Sequence, residues 1–259
     1  MKLAKFTYFV LFVFYSMSSC AEKSFFKDIS NLLPDQKPRL SYGVAVTDFD
    51  NDGSDEFIVT GFGYENLALG YDGNSLKNKI KENIFSDFNR STIGVAACDI
   101  DKDGHEEIYF LNTDTYSGQK MYSDRLLKLV DKNIEDLFEK DINQDELNLT
   151  AGRSVVCVDR EGKGNYGIYV ANYGGPTRFY EYIEDRVVDL AESLKLDEIT
   201  GGRAVVAGHI ISDQMDIFAA NERGPNFLYF NKEGKFLDVA GLDRSHPANT
   251  FFESTLPVI

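Results

Sequence analysis

Two nine-residue segments of the sequence repeat one arrangement of carboxylates around a glycine. In both, acidic residues stand at the first, third, fifth and ninth positions, and glycine stands at the sixth. Alternate residues of a tight loop direct their side chains to one point, and the glycine allows the backbone reversal that brings the ninth residue back to it. Calcium prefers six to eight oxygen ligands at about 2.3–2.6 Å, so the sequence predicts a calcium ion in each loop. The expected ligands are Asp48, Asp50, Asp52 and Glu56 in the first loop and Asp99, Asp101, Asp103 and Glu107 in the second.

An EF-hand and a solvated acidic turn are the alternatives to a calcium-binding β-hairpin loop. An EF-hand shares the Asp-x-Asp-x-Asp-Gly pattern but requires a glutamate at position 12 and flanking helices. Position 12 here is Val59 in the first loop and Phe110 in the second, and the flanking segments are strand-like. A solvated acidic turn accounts for one loop, because Asp and Gly are ordinary turn residues, but not for the same four carboxylates twice. Magnesium is a weaker candidate because it retains more of its water ligands.

An apolar-x-Asp-apolar signature recurs along the chain and indicates the architecture that positions these loops. Its aspartates are 59, 49, 53 and 49 residues apart. Between them, small and β-branched residues, a turn, and then β-branched or aromatic residues predict a hairpin, followed by further strands. Four-stranded units of about 50 residues are typical of propeller blades. We therefore predict an all-β fold, a β-propeller with about four blades present. The five aspartates are Asp28, Asp87, Asp136, Asp189 and Asp238.

Helix is expected to be scarce, and the third and fourth units have lost the acidic pattern. Short helical turns are expected at 141–149 and 190–196, and the lysine-rich segment 74–82 is expected to be a solvated connector.

The third loop has Lys163 at its fifth position, and either the lysine ammonium replaces the ion or the loop is empty. The fourth loop keeps only Asp216. We predict no calcium in either.

The N-terminus is typical of a signal peptide over residues 1–20. Two lysines precede an apolar run of about 12 residues, which is too short for a membrane anchor because a spanning helix needs about 20. Lipidation at Cys20 is an alternative to cleavage, and no other apolar run approaches spanning length. Secretion makes the sequons at Asn89 and Asn148 candidate glycosylation sites.

The two remaining cysteines lie at neighbouring registers of equivalent strands. Cys98 stands one residue before its loop, and Cys157 stands two residues before Asp159, the start of the third loop. Strand side chains alternate between faces, so the two cysteines face opposite sides of their blades and can meet between consecutive blades. An even pair in an oxidising compartment favours a disulfide; the alternative is two buried free thiols.

Composition narrows the class of function. The formal net charge of −15 disfavours nucleic acid and anionic membranes and favours cations or basic partners. The sequence contains no nucleophile elbow, Walker loop, His-Glu-x-x-His or Cys-x-x-Cys motif. These features favour a non-catalytic interaction protein, with a secreted propeller lectin or carbohydrate-active enzyme as the alternative.

The units resemble FG-GAP repeats, as in integrin α-chain propellers, and the run over 24–247 resembles the cartilage acidic protein family more closely. The resemblance implies a secreted extracellular-matrix glycoprotein with a seven-bladed, calcium-binding propeller, of which about four blades are present. It also implies matrix or cell-surface proteins as partners. Residues 248–259 depart from the family and form a divergent tail. The segments that carry the resemblance are Gly43–Asp50, Ala97–Asn112, Ala151–Arg160 and Asn221–Leu228.

Overall fold

The structure, a computed structural model, describes residues 25–33 and 38–240. The chain divides into two compact units, residues 1–31 and 32–259. A 3-10 helix, Ser30–Leu32, lies at the boundary, and every described strand belongs to the second unit. The predicted signal peptide, 1–20, and the predicted tail, 248–259, lie outside the described residues.

Antiparallel strands fill the described part of the second unit in four consecutive groups of four, which we call blades 1 to 4. Within each blade, successive strands are hydrogen-bonded neighbours, and the end of the tenth strand also pairs with the start of the thirteenth, which joins the sheets of blades 3 and 4. The predicted all-β propeller fold is confirmed. The strands are β1 (Val44–Thr47), β2 (Glu56–Val59), β3 (Leu67–Tyr71) and β4 (Leu76–Asn78) in blade 1; β5 (Thr92–Cys98), β6 (Glu107–Asn112), β7 (Arg125–Val130) and β8 (Asn133–Asp136) in blade 2; β9 (Gly152–Val158), β10 (Gly167–Pro176), β11 (Arg178–Ile183) and β12 (Arg186–Asp189) in blade 3; and β13 (Ile199–Gly208), β14 (Asp216–Asn221), β15 (Phe227–Lys232) and β16 (Lys235–Asp238) in blade 4.

Short helices connect the blades. The expected helical turns are confirmed as the 3-10 helix Asp141–Glu146 and the single-turn helix α2 (Ala191–Leu194); α1 (Asn83–Ser86) and a 3-10 helix, Leu137–Glu139, are further turns. The lysine-rich segment 74–82 is not only a connector, because it contains β4. Among the described residues, no helix is long and apolar enough to cross a bilayer.

The hydrophobic core lies between blades, so the middle strands are buried on both faces. Along β6, Ile108 and Phe110 pack against apolar side chains of blade 1, whereas Tyr109 and Leu111 pack against those of blade 3. This follows from the period-two alternation of a strand. Each of these side chains is fully buried, which stabilises the fold by roughly 1.5–3 kcal/mol per side chain.

The blades at the two ends of the described series each leave one apolar face open. On β1, Val44 and Val46 point away from blade 2 and are 62% and 52% exposed; on blade 4, Val206 and Leu237 point away from blade 3 and are each 58% exposed. Among the described residues, no further blade packs against these faces.

The recurrent aspartate fastens the third and fourth strands of a blade together. Asp136 accepts hydrogen bonds from the backbone N–H groups of Leu126 (3.1 Å) and Phe138 (3.0 Å). Asp189 and Asp238 accept the corresponding pairs in blades 3 and 4. The signature is therefore architectural, because each carboxylate both binds the third strand and turns the chain out of the fourth.

In blade 1 this position is occupied by a residue that the signature does not contain. Strand pairing places Asn78 where Asp136 stands in blade 2, and the side-chain oxygen of Asn78 accepts from the N–H of Ala68 at 2.9 Å. Asp87, which matches the signature in sequence, instead follows α1 and forms an ion pair with Arg125 at 3.1 Å. The predicted equivalence of Asp87 with the later aspartates is wrong.

Candidate metal centre

The first acidic loop joins β1 to β2 and brings three carboxylates together. One oxygen each of Asp48, Asp50 and Glu56 lies within 4.8 Å of the other two. Asp52, the fourth predicted ligand, lies outside this cluster and pairs with Lys79 at 3.3 Å. The structure therefore assembles three of the four predicted side chains and places the fourth on the exposed rim.

The backbone of the loop is shaped by Asp48, whose two oxygens accept hydrogen bonds from the N–H groups of Asp52 (3.0 Å) and Gly53 (2.9 Å). The reversal needs two residues with left-handed backbone angles, Asn51 (φ 57°) and Gly53 (φ 88°). The second loop repeats this with φ of 65° and 88° at its fourth and sixth residues. Sequence reasoning identified the glycine and missed the residue two positions before it.

Glu56 is the residue that most needs a cation. Its side chain is fully buried, and neither carboxylate oxygen has a hydrogen-bond partner of good geometry among the described residues. Burial, followed by the negative charge of Asp50, raises the pKa of Glu56 to about 7, although the nearby N–H of Phe49 opposes this. An unpaired buried carboxylate is costly, and a divalent cation at the point where the three side chains meet relieves that cost.

The second loop joins β5 to β6 and gathers the equivalent side chains. One oxygen each of Asp99, Asp101 and Glu107 again lies within 4.8 Å of the others. Here, however, the ammonium of Lys128 on β7 contacts Asp101 and lies 2.6 Å from Asp103 and 2.9 Å from Glu107. Sequence reasoning missed Lys128 because it stands 21 residues after Glu107, on another strand.

Burial and hydrogen bonding shift the pKa values of Glu107 and Lys128 in the second cluster. Burial raises the pKa of Glu107 to about 7, even though it accepts hydrogen bonds from Lys128 and from the N–H of Ile100. Burial disfavours the charged form of Lys128, but its hydrogen bonds to Asp101, Asp103 and Glu107 outweigh this and raise its pKa above the ordinary value. Lys128 is therefore charged at neutral pH.

The third loop keeps the backbone frame without the carboxylate cluster. Asp159 accepts from the N–H groups of Lys163 (3.0 Å) and Gly164 (2.7 Å). The ammonium of Lys163 is exposed and pairs with Glu161 at 2.8 Å, so it does not take the place of an ion inside the loop. In the fourth loop, Asp216 accepts hydrogen bonds from the N–H groups of Ile211 and Ser212, and also from that of Asn231 on β15.

A disulfide joins Cys98 and Cys157, with their Cα atoms 6.3 Å apart. The predicted cross-link between blades 2 and 3 is confirmed. Cys98 directly precedes Asp99, so the bond fastens the start of the second acidic loop to the neighbouring blade.

The two sequons lie in contrasting environments. Asn89 is exposed and stays a predicted glycosylation site. Asn148 is fully buried, and its amide nitrogen donates to Asp124 at 2.6 Å and to Asn172 at 3.0 Å. A glycan on that nitrogen has no space and would break both bonds, so the structure contradicts the prediction at Asn148.

Comparison with known proteins identifies relatives that share this repeat. The FG-GAP-like repeat family matches residues 26–110. Cartilage acidic protein 1 of Xenopus tropicalis is 42% identical over 228 residues, 78% of this chain and 35% of that protein. Cartilage acidic protein 1 of Homo sapiens is 41% identical over 265 residues, 88% of this chain and 40% of that protein. The chain belongs to the cartilage acidic protein family.

The chain spans about two fifths of the length of these relatives. Among solved structures, one of BBS1N in complex with ARL6DN matches at a TM-score of 0.45 and 8% identity, over 80% of this chain and 56% of that one. The V. cholerae biofilm matrix protein Bap1 matches at a TM-score of 0.42 and 16% identity, over 80% of this chain and 33% of that one.

Proposed function

We propose that the chain is a secreted, non-catalytic interaction module of the extracellular matrix or cell surface whose blades are stabilised by calcium. The observation that supports the calcium proposal is the state of Glu56, a fully buried carboxylate without a hydrogen-bond partner of good geometry among the described residues. Asp48 and Asp50 converge on the same point, so the first loop presents a hard, oxygen-only donor set of the kind calcium prefers.

Asp48, Asp50 and Glu56 would hold the ion in the first loop. Asp48 already shapes the backbone around the site, and Glu56 begins β2, so an ion bound to both fastens the loop to the hairpin. Asp52 joins only by releasing Lys79. A ligand present at 100 times its dissociation constant stabilises the folded state by about 2.7 kcal/mol, a large fraction of the stability of an ordinary domain.

The relatives support an extracellular setting, since they are named for cartilage, and the disulfide is typical of secreted proteins. The acidic composition, with a formal net charge of −15, supports basic proteins of the matrix or cell surface as partners. The extracellular setting and the basic partners are inferred from relatives of which this chain matches about two fifths of the length.

Calcium titration of thermal stability tests the role of Glu56. We expect calcium to raise the melting temperature of the wild type, and Glu56→Gln to abolish the shift that arises from the first loop. In a calcium chelator we expect Glu56→Gln to be at least as stable as the wild type, because it removes an unpaired buried charge.

Asp55→Asn is the matched control, since it removes one charge from an exposed position of the same loop, outside the carboxylate cluster. It should leave the calcium response unchanged. A calcium shift that is the same in Glu56→Gln and the wild type would contradict the proposal. A screen for glycan binding and hydrolysis tests the alternative function: turnover that survives calcium removal would favour an enzyme.

A further inference from the structure

The residue on the third strand that faces the acidic loop differs between blades 1 and 2. Phe57 and Ile108 directly follow the glutamates of the two loops, and they pair with Leu69 and Leu127 on the third strands. The next residues on those strands, Gly70 and Lys128, are therefore equivalent. A Cβ atom on Gly70 would lie 3.1 Å from Oε1 of Glu56 and 2.7 Å from Cε of Lys79. A side chain at this position would therefore project towards the loop carboxylate, in the space that the aliphatic part of Lys79 fills.

The two loops consequently have different internal cations. In the second loop, the ammonium of Lys128 lies among Asp101, Asp103 and Glu107, and the Lys128 side chain is only 14% exposed. In the first loop, Lys79 comes from beyond β4 and reaches Asp52 on the rim, with its side chain 31% exposed. Neither oxygen of Glu56 has a hydrogen-bond partner of good geometry among the described residues.

In blade 3 the equivalent strand position also pairs with a charged residue of the adjoining loop, but the anion is on the strand and the cation is in the loop. Tyr180 pairs with Ile168, so the residue equivalent to Lys128 is Glu181. Its carboxylate is held by the guanidinium of Arg160, with Nη2 3.0 Å from Oε2. This position thus supplies the charge that balances the adjoining loop in both blades, a cation in blade 2 and an anion in blade 3.

We propose that Lys128 is the resident cation of the second acidic loop and that the first loop is the calcium site of this chain. The inference rests on the proposed calcium role of the first loop. Calcium can enter the second loop only by expelling the ammonium, because two cations at the same point repel each other at close range. One positive charge on β7 therefore determines that two nearly identical loops have different ion preferences.

Isothermal titration with calcium distinguishes the loops by stoichiometry. We expect one ion per wild-type chain and two per chain for Lys128→Met, which removes the charge and keeps most of the side-chain length. If the wild type takes up a second ion at higher calcium concentration, that ion should bind at least about tenfold more weakly than the first, on the order of the effect of one close charge. Lys132→Met, an exposed turn residue of the same blade, is the control and should behave as the wild type.

Asp101→Asn in the wild-type background provides a second test that leaves Lys128 in place. We expect it to retain the single calcium ion, because that ion occupies the first loop. Two ions of similar affinity in the wild type, with one lost in Asp101→Asn and no change in Lys128→Met, would overturn the inference while leaving the proposed function intact. One ion in Lys128→Met and none in the wild type would support Lys128 as the resident cation of the second loop, but it would contradict calcium at the first loop and with it the proposed function. No uptake by any variant would overturn both.

Discussion

Removal of the disulfide between blades 2 and 3 should cost about 4 kcal/mol of unfolding free energy. The bonded cysteines are 59 residues apart in sequence, and in the chain-entropy relation a closed loop of that size removes about 14 cal/mol/K from the unfolded state, or about 4 kcal/mol at 25 °C. For a domain of this size the melting temperature should fall by roughly 8–16 °C.

The double variant Cys98→Ala and Cys157→Ala tests this by urea unfolding with linear extrapolation. Alanine is preferred to serine because Cys98 is buried and a hydroxyl there would need a partner. The control is a reductant: it should lower the stability of the wild type by a similar amount and leave the double variant unchanged. A loss below about 1 kcal/mol, or a wild type that does not respond to complete reduction, would show that the disulfide does not stabilise the fold by limiting the unfolded chain.

The acidic loops and the sequons support three more predictions. The pKa values of Glu56 and Glu107 are raised to about 7, so the folded state binds more protons than the unfolded state between about pH 4.5 and 7. The stability of calcium-free protein should therefore fall as pH rises through that window; chelator-treated protein that becomes more stable in urea from pH 5 to 8 would contradict this. Gly104→Ala should destabilise by roughly 1–2 kcal/mol because Gly104 has φ of 88°, whereas Gly208→Ala, which also has free space for a Cβ atom but no such angle, should be nearly neutral by thermal unfolding. In protein secreted from eukaryotic cells, peptide mapping should find glycan at Asn89 and none at Asn148; a glycan at Asn148 in folded protein would disprove its burial.

The sequence predicts the repeat and the acidic loops because both depend on residues close together in the chain. The alternation of apolar residues indicated the hairpins, and the spacing of Asp48, Asp50 and Glu56 indicated their convergence. The cysteine pair was predictable because strand alternation fixes the side from which each side chain projects.

Predictions failed where the structure depends on strand pairing across tens of residues. Asn78 occupies the position of the later aspartates because its amide oxygen accepts the same backbone hydrogen bond, so a search for aspartate selects Asp87 instead. Lys128 meets the second loop only through the register of β7 against β6. Asn148 fits the glycosylation sequon, which is normally exposed, yet its side chain is buried and hydrogen-bonded to Asp124 and Asn172.

The direct test of calcium binding at the first loop is a crystal structure determined with calcium at a few times the roughly millimolar level that extracellular modules require. We expect an anomalous-scattering peak in the first loop, with oxygens of Asp48, Asp50 and Glu56 at about 2.3–2.6 Å from the ion. A first loop without an ion under those conditions, with Glu56 paired to a protein group or turned to solvent, would contradict this expectation.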